Sequence, residues 1–118
     1  MSLSITKAED WAKLMAIADM PYVVDFTATW CGPCKAIGPF FDELSLRPEY
    51  SRLAFLKVDV DKLPEVAAEA NVNSMPTFQV WNNGKSIHQT VGASKDKLVA
   101  LLNTALGDPV GQKVHVKS

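Results

Sequence analysis

The sequence is short of several features that define whole classes of protein. Its 118 residues include 12 Lys or Arg and 13 Asp or Glu, and this balance argues against a surface for nucleic acid. No run of about 18 apolar residues is present, so we expect no membrane partner or span. The first ten residues lack the basic start and apolar core of a secretory signal, which predicts a cytoplasmic location.

Cysteine is also scarce. The chain has two, Cys31 and Cys34, and only two residues separate them, so no disulfide framework can join distant segments. With 47% hydrophobic and 21% charged residues the composition is that of a globular domain, whose stability must come from its core. A close-spaced pair in a cytosolic chain is typical of a catalytic or metal-binding site.

Hydrophobic periodicity predicts alternating strands and helices in the order βαβαβαββα. Predicted strands cover residues 3–5, 22–27, 53–58, 77–81 and 85–91. Predicted helices begin with a capping box of Thr6 and Glu9, at Pro33, near Leu63 and at Ser94 as N-cap.

This order predicts an α/β fold with a central mixed β-sheet flanked by helices on both faces. The early alternation favours parallel pairing, and Asn83-Gly84 between the last two strands predicts an antiparallel hairpin. We expect one domain over residues 1–107, followed by a mobile tail over 108–118 in which Val114 and Val116 could add an edge strand.

The cysteines straddle the predicted start of the second helix. A thiol at that position meets unpaired amide donors and the positive end of the helix dipole, which favours Cys31 as thiolate. Cys34, one turn further in and more buried, is close enough to attack a mixed disulfide formed on Cys31. This arrangement favours a two-step dithiol exchange, with Trp30 as an apolar flank.

Two other interpretations of the pair stay open. Cys-x-x-Cys also spaces zinc ligands, but tetrahedral zinc would then need His88 and His115, neither of which has ligand spacing. A purely structural disulfide would close so short a loop that it would constrain the unfolded chain little.

Asp25 interrupts an otherwise apolar strand. Burial of a lone carboxylate is costly, so the side chain either accepts a proton beneath the dithiol or is satisfied by backbone amides or water. Lys57, between Leu56 and Val58 on the next predicted strand, is a candidate cation for Asp25 or an ordinary lysine that reaches solvent.

The segment from Trp30 to Lys35, with Val24-Asp25-Phe26 upstream and Met75-Pro76-Thr77-Phe78 downstream, resembles the thioredoxin family. The resemblance extends from roughly Ile5 to Leu106 and implies the thioredoxin fold. It implies Cys31 as the attacking nucleophile, Cys34 as the resolving thiol, Asp25 with Lys57 as a buried acid-base pair, and a cis peptide before Pro76. The docking surface implied for substrates comprises Trp30, Gly32, Pro33, Met75, Pro76, Gly92 and Ala93.

The same resemblance implies a monomeric, general protein-disulfide reductase that acts on disulfide-containing target proteins. Thioredoxin reductase would regenerate it, NADPH would be used by that partner, and the chain itself would bind no cofactor and no metal. Two alternatives share this fold: a disulfide oxidase or isomerase, and a non-catalytic thioredoxin-like binding module. The residues between the cysteines tune the reduction potential, so they bear on the first alternative.

Overall fold

The computed structural model describes residues 2–107, which form five strands and four helices in the predicted order. The strands are β1 (Ser2–Ile5), β2 (Tyr22–Thr27), β3 (Ala54–Asp59), β4 (Thr77–Asn82) and β5 (Lys85–Val91). The helices are α1 (Ala8–Met15), α2 (Gly32–Ser45), α3 (Pro64–Glu69) and α4 (Lys95–Gly107), and a 3-10 turn (Pro48–Tyr50) precedes β3. The predicted tail and its possible edge strand lie outside the described residues, and the domain boundary after residue 107 stays a prediction.

Within residues 2–107 the strands form one mixed sheet in the order β1-β3-β2-β4-β5. β3 runs parallel to both β1 and β2, whereas β4 runs antiparallel to both β2 and β5. Early parallel pairing and a closing antiparallel hairpin are thereby confirmed. β2 occupies the centre of the sheet and is buried up to its last residue, as its β-branched and aromatic composition predicts.

Successive side chains along each strand point to opposite faces of the sheet, and each face packs against two helices. On one face the core joins the sheet to α2 and α4 through Val23, Phe55, Phe78, Val80, Ile37, Phe41, Leu44, Leu98, Leu101 and Leu102. On the other it joins the sheet to α1 and α3 through Val24, Phe26, Leu56, Val58, Trp81, Trp11 and Val66. The predicted helices on both faces are confirmed.

Two local signals in the sequence act as predicted. Asn83 and Gly84 adopt φ angles of 53° and 77°, the left-handed values that a tight hairpin between β4 and β5 requires. At the start of α4 the Ser94 hydroxyl accepts a hydrogen bond of 3.2 Å from the Lys97 backbone N–H.

The predicted capping box of α1 is wrong. Lys7 is the N-cap residue of this helix and makes no side-chain capping bond, while its carbonyl accepts from the Asp10 backbone N–H at 3.1 Å. Because the helix begins one residue later than expected, the Thr6 hydroxyl stands one position too early to cap it.

The topology brings three loops to one edge of the sheet. The ends of β2 and β3 are joined there by a 2.9 Å bond from the Val60 backbone N–H to the Thr27 carbonyl. β4 is antiparallel to β2, so its start at Thr77 lies opposite Phe26, and the end of β5 at Val91 lies beside Thr77. The loops that carry the cysteines, the Met75–Pro76 peptide and Gly92 therefore meet at this edge.

Candidate active site

The cysteine pair lies at the N-terminus of α2, as predicted. Cys31 is the N-cap residue with an extended backbone, and its sulfur accepts a bond of 3.2 Å from the Cys34 backbone N–H. Pro33 occupies the first turn, where no amide hydrogen bond is needed. The two cysteines form a disulfide, with their Cα atoms 5.3 Å apart. In the dithiol form, the same amide and the helix dipole favour negative charge on Cys31.

The two cysteines differ more in their neighbours than in their burial. Cys31 is 5% exposed and Cys34 4%, so the greater burial expected for Cys34 amounts to very little. The Cys31 sulfur lies 3.7 Å from the carbonyl oxygen of Met75, at the surface loop before β4. Cys34 instead lines a cleft together with Asp25. The two cysteines thus have different surroundings, the Met75 loop for Cys31 and the cleft for Cys34.

The predicted docking residues lie at the same edge of the sheet. Trp30 is 65% exposed, and its ring N–H donates to Asp61 Oδ2 at 2.7 Å. The Met75–Pro76 peptide is cis, as the resemblance implies. The Gly92 backbone N–H, at φ 104°, donates to the Pro76 carbonyl at 2.9 Å, which connects the loop after β5 to this peptide.

The remaining docking positions leave room for a partner. Gly32 and Pro33 are exposed at the start of α2, and a Cβ added at Gly32 would meet nothing within 4 Å. Ala93 is exposed after β5, and Met75 is half-buried against the cysteines. The structure therefore places all seven predicted docking residues at one edge of the sheet, on its loops and on the first turn of α2, and their part in binding stays a prediction.

Asp25 is 2% exposed on β2, between Lys57 of β3 and Phe78 of β4 in the sheet register. Its Oδ1 finds no hydrogen-bond partner among residues 2–107, so backbone amides do not satisfy that oxygen. The pKa of the carboxyl is raised to about 7 as the net result of three effects: burial raises it most, the Lys57 ammonium lowers it, and the Asp42 carboxylate raises it. A carboxyl in that range exchanges protons near neutral pH.

The predicted pairing of Asp25 with Lys57 needs correction. The Lys57 ammonium lies 3.0 Å from Oδ1 and 3.1 Å from Oδ2 of Asp42 on α2, and this is its ion pair within residues 2–107. Lys57 stands beside Asp25 in register and acts on its pKa, but the carboxylate that binds its ammonium is on the helix. The alternative prediction, that Lys57 reaches solvent, holds in part, since 24% of its side chain is exposed.

Two further residues that contact the site, Asp42 and Asp61, are not among the site residues predicted from the sequence. Asp42 follows Cys34 and Gly38 at intervals of four residues, which puts all three on one face of α2. That spacing could have placed Asp42 in the cleft. Nothing in the sequence indicates that Asp61 binds the Trp30 ring, because the two residues come from different loops.

The cleft that joins these groups has a volume of about 590 Å³ and opens to solvent. Its lining includes Asp25, Cys34, Lys35, Asp42, Lys57 and Asp59. Cys34 and the buried Asp25 therefore line one cleft that is open to solvent.

Residues 2–107 hold no group of three His, Cys, Asp or Glu side chains placed to bind a metal, and His115 lies outside this range. None of the helices between residues 2 and 107 combines the length and apolar character needed to cross a bilayer.

The thioredoxin family model matches residues 2–104. The chain belongs to the thioredoxin family. It is 50% identical over 94 residues to thioredoxin-1 of Schizosaccharomyces pombe, which covers 80% of this chain and 89% of that protein. It is 51% identical over 90 residues to human thioredoxin, which covers 76% of this chain and 84% of the relative. The crystal structure of Malassezia sympodialis thioredoxin superposes with a TM-score of 0.83 at 39% identity, covering 87% and 91% of the two chains.

Family and geometry together assign the chemistry. The chain is a protein-disulfide oxidoreductase that works by dithiol–disulfide exchange through Cys31 and Cys34. Thioredoxins use no bound cofactor, since the cysteine pair is itself the redox group. Members of the family act on disulfide-containing proteins and receive electrons from a reductase partner. The predicted thioredoxin fold is confirmed.

The raised pKa of Asp25 predicts an unusual pH dependence of stability. The carboxyl of the folded protein releases its proton at a pKa of about 7, whereas that of the unfolded chain does so near the ordinary aspartate pKa of 3.8. Stability from this group is therefore complete below about pH 4 and falls as the pH rises to about 7. We expect Asp25→Asn to be more stable than the wild type at pH 8, by up to about 4 kcal/mol, with the difference vanishing near pH 4.

Chemical denaturation at both pH values measures the difference. Glu43→Gln is the control, because it removes a carboxylate of the last turn of α2 that forms an exposed ion pair with Arg47. Equal stability of Asp25→Asn and wild type at pH 8 would contradict a raised pKa.

Proposed function

We propose that this chain is a cytoplasmic protein-disulfide reductase that is recycled by a thioredoxin reductase, with NADPH used by that partner. The observation that carries the proposal is that the two cysteines have different surroundings. Cys31 lies beside the Met75 loop, which carries predicted docking residues, whereas Cys34 lines the cleft of the buried Asp25. Attack on a target can therefore take place at Cys31, beside the loops, and release of the product can start from Cys34, in the cleft.

The first step is an attack by the Cys31 thiolate on one sulfur of a target disulfide. A Cys31–target bond forms as the target's sulfur–sulfur bond breaks, and the released target thiolate takes a proton from solvent. The N-terminus of α2 stabilises the attacking thiolate, and Trp30 together with Met75 offers the target an apolar surface.

The second step releases the target. The Cys34 thiol gives its proton to the Asp25 carboxylate, and the resulting thiolate attacks the Cys31 sulfur. The Cys31–Cys34 disulfide forms, the mixed disulfide breaks, and the second target thiolate leaves and is protonated. Two electrons have then passed from the dithiol to the target. Asp25 afterwards returns its proton to water through the cleft.

Substrate binding uses the backbone before β4. The Met75 carbonyl lies 3.7 Å from the Cys31 sulfur, so an extended target segment that pairs with Met75 brings its own disulfide to that sulfur. Trp30, held by Asp61, borders the same place. Gly32 leaves open space for the approaching chain.

Replacement of each cysteine tests the order of attack. We expect Cys34→Ser to accumulate a covalent complex with a disulfide-linked peptide, because Cys31 attacks and nothing resolves the product. Cys31→Ser should form none. Non-reducing electrophoresis and mass spectrometry detect the complex, and turnover retained by Cys31→Ser would show that Cys31 is not the nucleophile.

Replacement of Asp25 tests the proton transfer. We expect Asp25→Asn to slow the resolving step at neutral pH by about a hundredfold, the lower end of what a positioned proton acceptor contributes. Initial attack by Cys31 should keep its wild-type rate. Stopped-flow fluorescence with a preformed mixed disulfide separates the two steps, and an unchanged resolving rate would exclude Asp25 from the mechanism.

The reduction potential tests the direction of electron flow. Equilibration in graded thiol–disulfide buffers should give a value near about −270 mV, typical of thioredoxins. A value near about −180 or −120 mV would instead assign the chain to the isomerase or oxidase alternative. A binding module without a redox cycle would hold its partner equally well after both cysteines are replaced by Ser.

A further inference from the structure

The ion pair between Lys57 and Asp42 lies at the mouth of the cleft. Both oxygens of the Asp42 carboxylate are within 3.1 Å of the Lys57 ammonium. Their side chains are 24% and 48% exposed, so the pair reaches solvent, whereas Asp25 is buried. The backbone of Lys57, by contrast, stands directly opposite Asp25 in the parallel register of β2 and β3.

The neighbouring elements hold this arrangement in place. The Ser2 hydroxyl on β1 donates to Asp42 Oδ1 at 2.6 Å, which ties the carboxylate to the edge of the sheet. A Cβ built on Gly38 of α2 would lie 3.9 Å from the Lys57 ammonium, so the lysine side chain passes close over this residue. Three elements, β1, α2 and β3, thus meet at one charged pair.

We propose that Asp42 is a positioning residue: it holds the Lys57 ammonium at the mouth of the cleft, away from Asp25, and so keeps the buried carboxyl able to take the proton of Cys34. The inference rests on the proposed function, in which Asp25 is the proton acceptor. Lysine is a flexible point charge on a four-carbon chain, and without Asp42 its ammonium is free to turn toward Asp25, which lines the same cleft.

The charges around Asp25 support this role. Burial dominates the raised pKa of Asp25, and the ammonium of Lys57 and the carboxylate of Asp42 oppose each other. Loss of Asp42 would therefore lower the pKa of Asp25 for two reasons. The negative charge of Asp42 disappears, and the positive charge of Lys57 comes closer. Other charged groups lining the cleft are Lys35 on α2 and Asp59 on β3, while β4 places Phe78 beside Asp25.

The test is a titration of the Asp25 carboxyl carbon by NMR in the oxidised protein, where Cys34 has no proton to exchange. We expect Asp42→Asn to move the titration midpoint down by about one pH unit, because a closer ammonium favours the carboxylate. Glu43→Gln, which removes an adjacent carboxylate paired with Arg47, should leave the midpoint unchanged. Asp42→Glu keeps a carboxylate at this position and should bring the midpoint most of the way back to the wild-type value.

Lys57→Met distinguishes positioning from simple repulsion. If Asp42 acts through Lys57, then Asp42→Asn shifts the midpoint by much less in the Lys57→Met background than in the wild type. An equal shift in both backgrounds, or no shift in either, would overturn the inference. Thermal unfolding confirms that each variant is folded before it is titrated.

Kinetics separate this inference from the function on which it rests. The midpoint of the pH–rate profile for the resolving step should fall with that of the titration in Asp42→Asn. A shifted titration combined with an unchanged resolving rate in Asp25→Asn would refute the role of Asp25 and leave the Asp42–Lys57 arrangement standing. An unshifted titration combined with a slow Asp25→Asn would refute the inference alone.

Discussion

A carboxylic acid buried inside the sheet is the constraint on which the rest of this site depends. Asp25 has 2% of its surface exposed and an Oδ1 without a hydrogen-bond partner among residues 2–107, so its ionisation is costly at any pH where free aspartate is charged. The fold tolerates that cost because the acid stays protonated until about neutral pH. The same property supports the proposed role of Asp25 as a proton acceptor for a thiol near neutral pH.

The helices that cover the sheet create this environment. β2 lies at the centre, and α2 packs across it through Ile37, Phe41 and Leu44, which removes Asp25 from water. The start of the same helix presents the cysteine pair. One element therefore both covers the acid and positions the cysteine pair. The disulfide adds little to the fold's stability, since a bridge between residues three apart restricts the unfolded chain only slightly.

Two acidic side chains outside the cysteine motif organise its surroundings. Asp61 binds the ring N–H of Trp30, which orients an exposed aromatic side chain beside the docking loops. Asp42 binds the ammonium of Lys57, which sets how much positive charge reaches Asp25. Each is partly exposed, so each adds little to stability by itself. Their effect is on the position of a second group, which is the Trp30 ring for Asp61 and the Lys57 ammonium for Asp42.

The sequence by itself determined the element order, the mixed sheet, the cysteines at a helix start and the buried acid, because each of these follows from local periodicity, turn chemistry or one polar residue in an apolar strand. Spacing along α2 could also have placed Asp42 on the same helix face as Cys34. Tertiary structure alone decided which carboxylate binds Lys57, which acid holds Trp30 and how close the Met75 carbonyl comes to Cys31. These contacts join side chains from separate elements. Burial and geometry decide whether the flexible Lys57 side chain binds Asp25 or Asp42. Local sequence encodes neither.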